Sequence, residues 1–313
     1  MQFEWPTSEQ MIYRINRLRR LVLVAVLIPV SVLLLGSFFD PTFLSPDRAT
    51  IASLAVALLI SGHVVMFPNA SLETISLSIS VTVMVLAAPW IKVVSLMAPA
   101  EHATAALVLL TALTVMAAGG LMLMLQLVLG ALMMAGPVIK LRLCNAVDVP
   151  CSADVARRQF ALQPNARRGR ILTGAADDNG FFDVAILAPQ VIDQQNPEQP
   201  FVVRICAKIV EQDEDQQQTM LVLPNGDVTV TAERFIPTAD GCRVEITEMP
   251  GDFTLGMYAM FWLTDQQMDN LTESADIIAG AEPRANGVIH GVSLLSVAGA
   301  ILSPNQPVAD RTE

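Results

Sequence analysis

Four apolar runs constrain this chain more than any other feature: Leu21–Phe39, Ala49–Phe67, Ile75–Met97 and Ala105–Val138. An α-helix needs ~20 such residues to cross the hydrocarbon core of a bilayer, and the fourth run is long enough to tilt or project. Lipid offers nothing to a free backbone amide, so such segments must be helical. No A-x-A-like cleavage site follows the first run and further runs do, so it reads as a retained helix and not as a signal peptide. Arg14, Arg17, Arg19 and Arg20 precede the first run, and Lys140, Arg142, Arg157 and Arg158 follow the fourth. The opposite loops carry only Arg48. Basic ends on an even number of spans predict a multi-pass protein of a bacterial inner membrane with both termini cytoplasmic.

The rest of the chain faces another solvent. Residues 1–140 carry seven Lys/Arg and six Asp/Glu, whereas residues 141–313 carry twelve and twenty-four. An acidic second half argues against nucleic acid, which is bound through clustered Lys and Arg. The exception is a basic band at the junction, made of Lys140, Arg142, Arg157, Arg158, Arg167, Arg168 and Arg170. Anionic headgroups would attract it, which makes membrane lipids an expected partner.

From Ile139 the pattern becomes that of short strands. IKLRLCNAVDV reads as a strand leaving the membrane without a linker, and SADVARRQFAL as a short helix capped by Ser152. Six strands follow, with turn signals at Asp177 to Gly180, Asn225-Gly226 and Pro237 to Gly241. In the last pair Val228, Val230 and Ala232 alternate with Thr229, Thr231 and Glu233. Cys242, Val244 and Ile246 alternate likewise with Arg243, Glu245 and Thr247. The apolar members are the expected inner face. Beyond them Phe253, Met257, Met260, Phe261, Met268, Leu271, Ala275 and Ile278 recur at steps of three or four. That stripe predicts one amphipathic helix of about 26 residues, ending at Gly280. A competing reading makes Phe253–Leu263 a strand and starts the helix at Thr264, whose T-x-x-Q spacing fits a capping box. The unbroken phase of the stripe across Thr264 favours the single helix.

The expected class is α+β: a bundle of four transmembrane helices over residues 1–138, then a domain over residues 139–280. A tail, 281–313, contains a short apolar segment at 287–302 suited to the membrane interface or to docking on the domain. Strand, short helix, six antiparallel strands and a long terminal helix, with phrases such as ERFIPTADGCRVEITEM, resemble the START-like, or SRPBCC, helix-grip superfamily and its polyketide-cyclase-like members. The resemblance spans Ile139 to Gly280. It implies a curved seven-stranded sheet gripping the long helix around an apolar cavity that holds a lipid or another hydrophobic molecule. The candidate lining is Met257, Met260, Phe261 and Met268 on the helix with Val230, Val244 and Ile246 on the sheet. These side chains would equally serve as plain core.

Catalytic signals are sparse. His63, His102 and His290 include no i, i+4 pair, so no helical His-x-x-x-His metal site exists. Cys144, Cys151, Cys206 and Cys242 lack C-x-x-C spacing and read as small, buried or half-buried side chains. Asp183, Glu233, Glu245 and Glu248 are scattered along strands, mostly on the inferred outer faces. No catalytic residue, metal or cofactor is assigned. His63 and Lys92 lie within spans, where an ionisable group is costly and is a functional candidate by default. Ser76, Ser78, Ser80 and Thr82, with Gly119, Gly120 and Gly130, suit helix packing. The leading expectation is a non-enzymatic module that binds or senses a lipid-like ligand beside the bilayer. The alternatives are an assembly factor that recruits a membrane-protein partner through the bundle, and a cyclase- or hydrolase-like enzyme.

Overall fold

A computed structural model describes residues 5–40, 44–97, 99, 102–168, 171–192, 200–281, 284 and 294. The chain divides into two compact units, one built on the N-terminal helices and one on the sheet.

In the first unit α1 (Ser8–Arg17) opens with a capping box: Gln10 N donates to Thr7 Oγ1 at 3.3 Å and Thr7 N to Gln10 Oε1 at 3.0 Å. The next helices, α2 (Arg19–Phe39), α3 (Pro46–Met66), α4 (Ser71–Leu96) and α5 (Ala103–Met134), are, among the described residues, the four long and apolar enough to cross a membrane. α2 buries Leu21, Ala25, Pro29, Leu33 and Ser37, one residue every four, and its small members admit Ala49, Val56 and Ile60 of α3. On α4 Ser76, Ser78, Ser80 and Thr82 are all buried. Residues two apart lie ~200° apart around a helix, so this half of α4 is enclosed on every side. The Ser78 hydroxyl donates to Ala25 O of α2, and Thr82 Oγ1 to Ser78 O at 2.7 Å. α5 differs, since only Met122 along its length is buried. A side chain at Gly119 or Gly120 would meet nothing within 4 Å, so these two do not pack helices as expected; one at Gly130 would touch Leu72 at 3.9 Å.

The second unit is a single antiparallel sheet in the order β1-β8-β7-β6-β5-β4-β3-β2. β1 (Leu143–Val149) is followed by α6 (Ala153–Phe160) and the two-residue edge strand β2 (Arg167–Arg168). The meander β3 (Ile171–Thr173), β4 (Phe181–Ile192), β5 (Pro200–Gln212), β6 (Gln216–Val222), β7 (Val228–Thr238) and β8 (Gly241–Met249) then returns beside β1. The seven expected strands are present, with β2 added at the edge. The last strand pairs with the first at close quarters: a Cβ on Gly241, which has φ +155°, would stand 2.1 Å from Val149 O. Only glycine fits there.

The terminal helix is where sequence and structure part. It is two helices, α7 (Leu255–Thr264) and α8 (Gln266–Ile278), broken at Asp265 with φ 50° and ψ 40°. Asp is one of the few non-glycine residues that tolerates this left-handed conformation. Phe253–Leu263 is therefore not a strand, and the stripe does not imply one rod. α8 alone grips the sheet: Leu271 and Ala275 pack with Val149, Phe160, Phe235, Cys242 and Val244. It closes at Gly280 (φ 69°), with Ala281 N donating to Asp276 O at 2.9 Å and Gly280 N to Ile277 O at 3.1 Å, a Schellman motif.

Candidate functional site

The sheet registers show which side chains look toward α8. Phe235 stands opposite Val244 and Glu233 opposite Ile246 in an unshifted β7–β8 ladder. Directly opposed residues share a face, so the inner members of β7 are Thr229, Thr231, Glu233 and Phe235. Val228, Val230 and Ala232 point the other way. Val230 thus leaves the candidate lining, and Glu233 and Glu248, expected outside, stand inside. Arg243 and Glu245 are outside, as the alternation predicts. The misleading signal was the run Val-Thr-Val-Thr-Ala, where hydropathy pointed inward but β-branched threonines pack the inner surface equally well.

Followed across the strands, the inner face has three parts. One end is apolar, with Val149, Val147, Cys242, Val244 and Phe235 under α8. The other end is apolar too, with Phe182, Val184, Ala207, Ile205 and Leu221. Between them runs a polar band across Asn145, Glu233, Gln217, Glu248, Thr231 and Thr219. Asn145 Nδ2 donates to Gln267 Oε1 of α8 at 2.8 Å, and Gln267 Nε2 donates to Glu248 Oε2 at 3.4 Å. Gln163 Nε2 donates to Gln217 Oε1 at 2.7 Å, and Gln217 Nε2 donates to Leu162 O at 2.8 Å. Gln217 is fully buried, and Glu233 and Gln267 nearly so. Burial pushes the Glu248 carboxyl up from its ordinary value; the Gln267 amide pulls it partly back and the Asp252 charge adds to the rise.

Arg157 completes the band. It belongs to the short α6 and not to an exposed basic surface: its guanidinium lies 5.8 Å from the centre of the Phe235 ring. Its Nε and Nη2 are buried without a hydrogen-bond partner. Unpaired guanidinium nitrogens in an interior are costly and mark a place where an acceptor belongs. Of the expected basic band, Lys140, Arg142, Arg158 and Arg167 are exposed, while the Arg168 side chain and Arg170 lie outside the described residues.

The other candidates are placed as follows. Val244 is fully buried core with Ile246 half-buried against it, and Met268 is half-buried on α8. Met257, Met260 and Phe261 belong to α7, where Phe261 stacks edge-on with Phe253 at 5.1 Å. Cys242 and Cys151 have thiols pushed up by burial, with mutual repulsion adding to the rise at Cys242. Among the described residues no group of three or more His, Cys, Asp or Glu is arranged to hold a metal ion.

In the membrane unit His63 has partners that the sequence hid. Its Nε2 lies 2.9 Å from Glu73 Oε1 and its Nδ1 3.1 Å from Thr74 Oγ1. All three are buried, and the Leu294 amide also donates to Glu73 Oε1 at 2.7 Å. The tight link between α3 (Pro46–Met66) and α4 (Ser71–Leu96) brings these residues together. Apart from Leu294, the apolar segment 287–302 lies outside the described residues, as does the Lys92 side chain. A groove of about 550 Å³ between α4 and α5 is lined by Val83, Met84, Leu110, Leu113 and Ala117.

No protein-family model matches the chain, and no curated protein does. Among solved structures it is similar to a protein from Chromobacterium violaceum, at 11% identity over 44% of this chain and 96% of that one, with TM-score 0.33. It is similar to the di-domain ARO/CYC StfQ from the steffimycin biosynthetic pathway at 16% identity, over 46% of this chain and 53% of that one, with TM-score 0.32. A polyketide-cyclase-like protein from Corynebacterium glutamicum is 7% identical over 54% of this chain and 98% of its own, with TM-score 0.27. The architecture rests on strand order and the seat of α8 and not on these likenesses: residues 143–278 form a helix-grip fold, an antiparallel sheet that packs α8 against its inner face, downstream in sequence of four apolar helices.

Proposed function

We propose that this multi-pass membrane protein binds, without transforming it, an amphiphile drawn from the bilayer, and that the inner face of its helix-grip domain is the site. One observation carries the reading: a polar band lies between two apolar clusters on a face that a solid core would fill with apolar side chains throughout. An apolar body would lie along the clusters, and an oxygen-bearing end would meet Arg157, Gln267 and Glu248. Arg157 supplies two donors in a fork suited to a carboxylate, phosphate or carbonyl oxygen.

The test is native mass spectrometry of the full-length protein after extensive detergent washing, alongside Arg157→Gln. The wild type is expected to retain one amphiphile per chain, and the variant to lose at least tenfold in occupancy while keeping its unfolding midpoint. A wild type that carries nothing in repeated preparations overturns the reading.

A second reading, cyclase- or hydrolase-like catalysis, is favoured by one feature. Glu248 is a carboxyl with a raised pKa held against an amide at the inner face, a disposition suited to proton transfer. If the retained amphiphile is chemically altered on incubation with wild type but not with Glu248→Gln, this second reading replaces the first.

A further inference from the structure

α7 contains no charged residue, and its Leu255 and Trp262 are 64% and 58% exposed. With the exposed Ala259 they stand at i, i+4 and i+7, one face of a helix. The opposite face is tied down: Thr254 caps the helix through Met257 N at 3.2 Å, and Tyr258 is buried against Phe253. An apolar stripe of this kind is costly to leave in water.

What covers it is fixed by the chain. Val138 pairs with Thr254, Ile139 N donates to Phe253 O at 2.9 Å, and Leu141 N and O both bond the Tyr258 hydroxyl, at 3.0 and 3.1 Å. The segment that holds α7 is thus the segment that leaves α5, and Val138 is only four residues past the end of α5 at Met134. Four residues reach at most ~14 Å. α7, at ten residues, is too short to cross a bilayer. Val138 and Leu141 are exposed beside it, as are Lys140 and Arg142. An uncharged helix with a tryptophan on its exposed face, flanked by cations, has the make-up of an interfacial helix.

We propose that α7 lies in the interface of the bilayer that α5 crosses, with Leu255, Ala259 and Trp262 among the upper acyl chains and Lys140 and Arg142 at the headgroups. The claim rests on α5 crossing the membrane and is independent of any ligand in the domain. The break at Asp265 follows from it, because α8 must turn away to seat on the sheet while α7 stays with the lipid.

The experiment uses full-length Trp5→Phe/Trp90→Phe protein in lipid nanodiscs, where Trp262 is the sole tryptophan. Lipids brominated high on their acyl chains are expected to quench its emission at least twofold, with aqueous iodide having little effect. Quenching by iodide and not by the brominated lipids overturns the proposal. So does protection from both quenchers, or a Trp262→Cys variant that cross-links to a second copy, since either assigns the stripe to protein. A readout confined to Trp262 keeps this failure separate from that of the amphiphile reading.

Discussion

α7 and α8 are one residue apart and share a single apolar stripe in the sequence, yet they serve different solvents. α8 spends that stripe on the sheet: Leu271 and Ala275 are buried in the main cluster, and the polar Gln267, Asp269, Thr272 and Asp276 are buried on the same helix. α7 has no charged side to offer water, and its stripe continues into Phe253, Tyr258 and Phe261 while Leu255 and Trp262 are largely exposed. The difference teaches that a periodic stripe reports which residues share a phase. What fills the rest of each turn decides where the helix goes.

The largest expected effect tests the two halves against each other. Leu271→Ala empties a fully packed site and should lower the stability of the domain by about 2–5 kcal/mol, the usual range for a buried leucine. Trp262→Ala should cost the same transition less than about 1 kcal/mol, because that side chain is 58% exposed. Urea unfolding of the full-length protein in detergent, followed by hydrogen exchange of strand amides, separates the two. Equal losses would mean that α7 is part of the core and would end the comparison.

The break itself gives the next effect. A continuous helix through residue 265 would gain about 0.5 kcal/mol from Asp265→Ala, since alanine is the better helix former. The left-handed backbone at Asp265 predicts the opposite: a loss of about 1 kcal/mol for alanine, and little or none for Asp265→Gly. The same unfolding measurement gives the sign, and a stabilised alanine variant would restore the single rod.

These contrasts show how much the sequence made legible. The four long apolar helices, the strand order, the Asn225-Gly226 turn and the Gly280 terminus follow from length, alternation and φ preference, which act locally and leave marks in the string. The phase of β7 was not legible, because Thr and Val compete equally for a pleated surface and only the partner strand decides. Glu248 was within reach: it lies two residues past Ile246, so period two alone places it inside. Arg157 was not, because a helix of only about two turns gives no sign of which face meets Phe235. The His63–Glu73 pair required knowing that α3 and α4 are antiparallel neighbours joined by a tight turn.

Glu248 provides the smallest and most specific effect. Its folded-state pKa is raised chiefly by burial, so the folded domain holds this proton at pH values where the unfolded chain, near the ordinary ~4.3 for Glu, has released it. Where the native state binds more protons than the unfolded state, stability falls as pH rises. The wild type should therefore lose stability relative to Glu248→Gln as pH climbs from about 4 through the raised pKa, with a constant deficit above it. Glutamine keeps an acceptor for Gln267 Nε2, so the hydrogen bond is a common factor and the difference isolates the charge. Unfolding midpoints of the two proteins across this range should diverge with rising pH. Parallel curves, or a wild type that gains on the variant, would place Glu248 in water and return the polar band to the outside of the sheet, where its residues would ask nothing of a ligand.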